Sequence, residues 1–272
     1  MKKIFALILA LIMCFGVFVA CGDEEESIGG GGKKNPPAAD DYKEFEKAME
    51  KTQALESLSA KMDMDITVSA EGMTMEVPMD MTIKIKDAKS EKPTTYVDLK
   101  MTVMGMEVAM EMYQEDDWCY YVSDGEKYKI SLEEAQAGDG ADFTHNLDGL
   151  LQELSEDIMK KANIKANGDG SKTLTVKLSE EDFAEYFGEY MEGLGYGVDG
   201  ATIEEASVSM TAKDGYLTVY EMNMEMEIIA EGITTKGVAK ISATYDDPGE
   251  EVEITPPEGY KDFPEFTESN EF

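Results

Sequence analysis

Residues 58–70 read LSAKMDMDITVSA, a run in which apolar and polar side chains alternate without a break. The alternation continues in residues 73–86, MTMEVPMDMTIKIK, where the odd positions become the apolar ones. Because successive side chains of a strand point to opposite faces, this period of two predicts antiparallel strands with one buried and one wet face. The first strand should turn these side chains inward: Met62, Met64, Ile66 and Val68. It should turn these outward: Lys61, Asp63, Asp65 and Thr67.

The same period extends along much of the chain and predicts a long meander. Turns such as Glu71-Gly72 and Asp124-Gly125 separate the runs, as tight hairpins require. A break in phase at Val219 and Tyr220 predicts a β-bulge. The predicted strands are residues 58–70, 73–85, 97–103, 106–112, 118–122, 127–131, 174–178, 206–212, 220–230 and 233–245.

Three segments have helical spacing instead. The first should run from Asp40 or Asp41, as its N-cap, to about Ser57. The third should begin with the capping box at residues 179–182, SEED, and end at Gly195. Its apolar face includes Phe183, Tyr186, Phe187, Tyr190, Met191 and Leu194. The second is a stripe made by Leu147, Leu150, Leu151, Leu154, Ile158 and Ala162.

The order of these segments predicts one domain, residues 42–260, followed by a loose tail at residues 261–272. A leading helix, a meander, a helical interlude and three closing strands indicate an α+β fold that is mainly antiparallel β.

The N-terminus carries an export and anchoring signal. Two lysines precede an apolar run at residues 4–20, which is typical of a signal peptide over residues 1–20. The junction Val19-Ala20-Cys21-Gly22 resembles the bacterial lipobox, which implies a diacylglycerol anchor on Cys21 at the outer face of the cell membrane. A signal-anchor helix is the alternative, because the run reaches the lower limit of spanning length. Residues 21–41, rich in Gly and Pro, should form a flexible tether.

Composition narrows the choice of partners and chemistry. The chain has 58 acidic and 24 basic residues, a net charge of −34, which argues against nucleic acid and anionic headgroups as partners. We find no nucleophile motif, and the one histidine, His145, cannot build a multi-histidine metal site. We therefore expect no catalytic residues, no metal site, no cofactor and no enzyme activity. Cys119, in a strand-like run, is expected to be a buried structural thiol.

The chain contains 20 methionines, most of them in the predicted strands. Methionine is not a favoured strand residue, so its repeated use where Val or Ile would serve needs a reason. Its unbranched thioether adapts to variable apolar shapes, which suits an accommodating ligand pocket. The alternative is that these side chains only fill the core beneath the helices.

The chain resembles the LolA, LolB, LppX and LprG superfamily of bacterial lipoproteins, in particular an uncharacterised Gram-positive branch. The resemblance rests on residues 42–68, YKEFEKAMEKTQALESLSAKMDMDITV, on the Met-rich strand at 73–86, and on VEITPPEGY at 252–260. It implies a curved half-barrel sheet with helices across its open face and room for lipid acyl chains between them.

Carried over residue by residue, the resemblance implies a concave lining and a helical lid. The lining would comprise Met62, Met64, Met75, Met79, Met81, Met101, Met110, Met222, Met224 and Met226. The lid would comprise Leu150, Leu151, Leu154, Phe183, Phe187 and Met191. The implied function is a non-enzymatic, membrane-anchored binder or carrier of lipids or another hydrophobic ligand. The alternative is a cell-surface structural or protein-interaction lipoprotein with a packed core and no ligand.

Overall fold

The computed structural model describes residues 41–137, 154–183, 201–230 and 233–266, and the eleven strands within this part of the chain join in one sheet. The strands are β1 Ser57–Ala70, β2 Met73–Lys86, β3 Thr94–Val103, β4 Met106–Glu115, β5 Trp118–Ser123, β6 Glu126–Ser131, β7 Asn163–Ala166, β8 Lys172–Leu178, β9 Ala201–Lys213, β10 Tyr216–Ala230 and β11 Ile233–Tyr245. The helices with described bounds are α1 Lys43–Gln53, α2 Leu132–Ala137 and α3 Glu156–Met159, with a 3-10 turn at Tyr260–Asp262.

The strand order is β6-β5-β4-β3-β2-β1-β11-β10-β9-β8-β7, with antiparallel pairing between all neighbours. Two meanders are therefore joined where the first strand pairs with the last, from Ala60 opposite Tyr245 to Ala70 opposite Thr235. The sheet is open, because its edge strands β6 and β7 do not meet. The predicted fold class, an α+β half-barrel that is mainly antiparallel β, is confirmed.

Strand β1 has the predicted register. Its side chains Met62, Met64, Ile66 and Val68 are at most 3% exposed, whereas Lys61, Asp63 and Asp65 are exposed. In the second meander, the predicted bulge is confirmed between Leu217 and Val219, and β10 and β9 slip again at Glu225 and Met226.

Helix α1 packs against β10 and β9 through its apolar stripe, which includes Phe45 and Met49. The predicted end at Ser57 is wrong: the helix ends at Gln53, because Ser57 already pairs with Lys86 as the first residue of β1. The predicted aspartate cap is also wrong. Tyr42 is the N-cap, without a capping side-chain hydrogen bond, and its hydroxyl donates to Glu156 Oε1 at 2.6 Å.

Within the described residues, the helical interlude contains the four-residue helix α3, Glu156–Met159. Helix α3 ends at Met159, and the predicted continuation to Ala162 is wrong because Asn163–Ala166 forms strand β7 on the edge of β8. The hydroxyl of Ser155 caps α3 by accepting from Ile158 N. Leu154 and Ile158 are buried as predicted, whereas Leu147, Leu150 and Leu151 lie outside the described residues.

The C-terminal segment crosses the polar face of β2 to β6. Lys129 N donates to Pro264 O, and Phe266 N donates to Lys129 O. These bonds form an isolated parallel β-bridge between Lys129 and Glu265. Phe263 is buried against the ring of Tyr120. The prediction of a loose tail is therefore wrong for residues 261–266, because β6 offers both apolar surface and open edge groups. Residues 267–272 lie outside the described part.

Candidate functional site

The predicted lining methionines all lie on the apolar face of the sheet. Seven are buried, with exposures of 1–6%: Met62, Met64, Met79, Met81, Met222, Met224 and Met226. Met75, Met101 and Met110 are half-buried. Of the predicted lid, Leu154 and Phe183 are buried in the same apolar cluster. The other lid residues lie outside the described part of the chain: Leu150, Leu151, Phe187 and Met191.

Strand register brings several of these thioethers into direct cross-strand pairs. Met62 is opposite Met81, and Met64 is opposite Met79. On its other side, Met79 is opposite Met101 of β3. Directly opposed side chains on one face lie about 5 Å apart at Cβ. The result is a continuous methionine-rich strip across β1, β2 and β3.

Helix α1 covers the β9 and β10 part of the apolar face. Its side chains Phe45 and Met49 are fully buried, and Thr52 fixes its end to the sheet. The Thr52 hydroxyl donates to Ala48 O at 2.8 Å and accepts from Leu217 N at 2.9 Å. Helical spacing predicted this helix, but its role as a cover of the apolar face was not predicted. Its position before the meander gave no signal of which strands it would reach.

Among the described residues, side-chain exposure on the apolar face increases toward one end of β2, β3 and β4. Along β2, apolar side chains are buried from Ile85 to Val77, then Met75 is half-buried and Met73 is 56% exposed. Along β4, Met112 is buried, Met110 is half-buried and Met106 is 65% exposed. Because these side chains share the inward phase of their strands, the apolar face itself becomes accessible at this end.

Three polar side chains interrupt the apolar face at the other end of these strands. Thr95 pairs with Gln114, which pairs with Cys119, and all three are buried. Gln114 Nε2 donates to Pro93 O at 3.2 Å, and Cys119 Sγ lies 4.0 Å from Gln114 Oε1. The burial of Cys119 was predicted. Thr95 and Gln114 were missed, although a glutamine at an inward position of β4 was a visible break in the alternation.

Two threonine hydroxyls are buried in the described part of the sheet without a hydrogen-bond partner there. Within the described residues, Thr95 Oγ1 and Thr235 Oγ1 make no hydrogen bond. A buried hydroxyl without a partner reduces stability, because its hydration is lost without replacement.

The polar face carries a shallow cleft of about 160 Å³ beside β1, β2 and β3. Partial desolvation raises the pKa of the Asp63 carboxyl, and its hydrogen bond with the opposing Asp80 raises it further. Lys100 pairs with Asp98 at 2.9 Å, and Lys61 pairs with Asp246 at 2.6 Å. These ion pairs neutralise lysines of the cleft wall, and the cleft offers no extended apolar surface.

Residues 43–263 match the family of unknown function DUF6612, which covers most of the chain. The chain belongs to this family. No curated protein matches it.

Solved structures similar to this DUF6612 chain have low sequence identity. LprF from Mycobacterium bovis is 14% identical, with 82% of this chain and 99% of that chain covered, at a TM-score of 0.44. A DUF1329 family protein from Desulfovibrio piger is 10% identical, covering 80% and 96%, at 0.28. A putative outer membrane lipoprotein-sorting protein domain from Vibrio parahaemolyticus is 11% identical, covering 76% and 95%, at 0.26. They include the kinds of protein that the sequence resemblance named.

Two further observations concern the described part of this DUF6612 chain. None of its described helices is long and apolar enough to cross a bilayer. Among the same residues, no group of three or more His, Cys, Asp or Glu side chains is placed to hold a metal ion.

Proposed function

We propose that this DUF6612 protein is a non-enzymatic, extracytoplasmic lipoprotein, anchored through Cys21, that binds or carries lipids or another hydrophobic ligand on the apolar face of its sheet. One observation carries the proposal: among the described residues, α1 packs over β9 and β10, whereas the methionine-rich apolar face becomes exposed toward one end of β2, β3 and β4. Apolar surface left accessible at the end of a core is typical of a ligand or partner site. Flexible thioethers suit acyl chains of varying length.

Two neighbouring residues of β3 supply the test. Leu99 and Lys100 are neighbours on opposite faces, with Leu99 packed against the apolar cluster and Lys100 exposed. We expect Leu99→Gln to weaken binding of a fluorescent fatty acid about tenfold, since a polar amide beside an acyl chain must lose its hydration. Lys100→Gln places the same side chain on the polar face and should leave binding unchanged.

Binding is measured by fluorescence titration of the purified protein, together with native mass spectrometry of lipid that co-purifies with it. Equal affinity of the two variants contradicts the location of the site. Absence of any bound lipid, in the spectrum and in the titration, contradicts the ligand-binding function itself.

The burial of most lining methionines favours a second function. Seven lining methionines are no more than 6% exposed and make one packed cluster with α1. A cell-surface structural or protein-interaction lipoprotein needs only such a core. Under this alternative, the protein purifies without lipid, and Leu99→Gln changes stability alone.

A further inference from the structure

The accessible end of the apolar face coincides with two hairpin tips. Ala70 and Met73 close the β1–β2 hairpin, and Val103 and Met106 close the β3–β4 hairpin. The strands alternate in direction, so both tips lie at the same end of the sheet. Met73, Met104 and Met106 are 56%, 66% and 65% exposed, and we call these three residues the methionine rim.

Met104 is an unusual choice for its backbone conformation. It has φ of 54°, a left-handed value that few side chains other than Asn and Asp adopt readily. The other described non-glycine residues with positive φ are all acidic: Glu71, Asp87, Asp116, Asp124, Asp214 and Asp247. If the turn at position 104 were only exposed to water, an acidic residue would be expected there as well. An apolar side chain that is strained and two-thirds exposed therefore points to a contact with something apolar.

We infer that the methionine rim rests on the lipid bilayer and brings the open end of the apolar face to the membrane. This inference rests on the proposed carrier function and adds its partner and its orientation. The tether favours the bilayer over other apolar partners. The tether has about 20 residues and reaches up to about 70 Å when it is fully extended. The 14 residues of β1 span about 46 Å, so the tether is long enough for either end of the sheet to reach the membrane.

The charged residues around the methionine rim favour a bilayer with neutral headgroups. Glu71, Glu76 and Glu107 are exposed on the same two hairpins as the rim methionines. Carboxylates are repelled by anionic headgroups, so a neutral phosphatidylcholine surface is the favourable one. The tether keeps the rim near that surface at a high effective concentration, so that a weak contact suffices.

The test uses the full lipidated chain in phosphatidylcholine vesicles whose acyl chains carry bromine, a short-range quencher of tryptophan. Met106→Trp places a reporter directly after the turn glycine at the rim. Tyr216→Trp places one at the equivalent position of the β9–β10 hairpin, at the opposite end of the sheet. The wild-type chain, with Trp118 alone, gives the background. We expect several-fold stronger quenching of the Met106→Trp reporter than of the Tyr216→Trp reporter.

A second pair of variants separates contact from misfolding. Met104→Asp installs the residue that the chain uses at Asp214, where φ is 53°, so the turn should be at least as stable as before. We expect Met104→Asp to remove most of the quenching of the Met106→Trp reporter. Asp214→Met, the reverse exchange at the opposite end, should leave it unchanged.

The remaining outcomes distinguish the membrane contact of the rim from the carrier function. Equal quenching of the two reporters overturns the inference, and so does an unaltered signal after Met104→Asp. Protection of the Met106→Trp reporter from both bromolipid and aqueous iodide also overturns it, because the rim is then covered by protein. Bound lipid in native mass spectra without rim quenching rejects the rim contact and retains the carrier function. Rim quenching without bound lipid supports the contact and rejects the carrier function.

Discussion

At the residue scale, Thr52 is a buried polar side chain that joins α1 to the sheet. Its hydroxyl is the acceptor for the buried amide of Leu217. Thr52→Val keeps the shape but leaves that N–H without an acceptor, so we expect the free energy of unfolding to fall by about 1–3 kcal/mol in urea denaturation.

Thr95→Val is the matched control, because the Thr95 hydroxyl is buried without a partner among the described residues. Removing it should leave stability unchanged or raise it slightly. A loss as large as that of Thr52→Val would show that the Thr95 hydroxyl makes an important interaction.

Asp182 should make stability depend on pH. The Lys161 ammonium, followed by hydrogen bonds from Ser179, lowers the pKa of Asp182 to about 2, against an ordinary value of 3.8. A carboxyl with a lowered pKa in the folded state stabilises it above the unfolded pKa, and this contribution is lost as pH falls through the folded pKa. We expect Asp182→Asn to be destabilising at pH 7, with the difference from wild type shrinking between about pH 4 and 2.

Urea denaturation at a series of pH values checks this expectation. Asp157→Asn, in an exposed ion pair with Lys160, is the control and should change stability by less than about 1 kcal/mol. A difference for Asp182→Asn that is constant from pH 7 to pH 2 contradicts the assigned role of its charge.

At the element scale, the local sequence predicted the long strands and one helix cap correctly, and it failed for the two ends of α1. The capping box at Ser179 forms as predicted, with Asp182 N donating to Ser179 Oγ at 3.2 Å and Ser179 N donating to Asp182 Oδ2 at 3.1 Å. Strand β7 was missed because its four residues carry almost no pattern, and its pairing with β8 decides its structure. The end of α1 was missed because pairing between β1 and β2 outweighs the helical spacing.

The C-terminal segment gives a prediction at the same scale. Phe263 is 6% exposed and packs on Tyr120 with ring centroids 6.2 Å apart. We expect Phe263→Ala to lower the free energy of unfolding by about 3 kcal/mol, at the low end for a buried phenylalanine because the cluster is small. Phe266→Ala, with 47% of the residue exposed, should cost less than about 0.5 kcal/mol in the same urea experiment. Similar losses for both would mean that Phe263 makes no special contribution.

For the whole molecule, the sequence predicts which side chains face the core but not how the strands are ordered. Alternation gave the inward phase of each strand, the family resemblance named ten methionines as the lining, and the structure has all ten on the apolar face. It gave no means of knowing that β1 lies between β2 and β11, since pairing between distant strands depends on the complete fold. For the same reason, the exposure of the apolar face at one end of β2 to β4 could not be predicted.

The proposed lipid anchor on Cys21 also gives a prediction at this scale. We expect Cys21→Ser to abolish lipidation, because serine lacks the thiol that the lipid transfer requires, and to leave unprocessed precursor or shed protein. Metabolic labelling with an alkyne fatty acid, followed by membrane fractionation, measures both effects. Cys119→Ser is the control and should keep the label, since that thiol is buried. Label retained on Cys21→Ser contradicts the anchor.

The pairing of the first strand with the last has a consequence for how the protein matures. Lys61 and Asp246 form an ion pair although 185 positions separate them. A chain that emerges N-terminus first exposes one edge of β1 until β11 follows, and such long-range closure makes folding slow. Export of the proposed lipoprotein would therefore place its anchor in the membrane before the sheet can close. The membrane-tethered chain would then keep one edge of β1 unpaired until β11 reaches it.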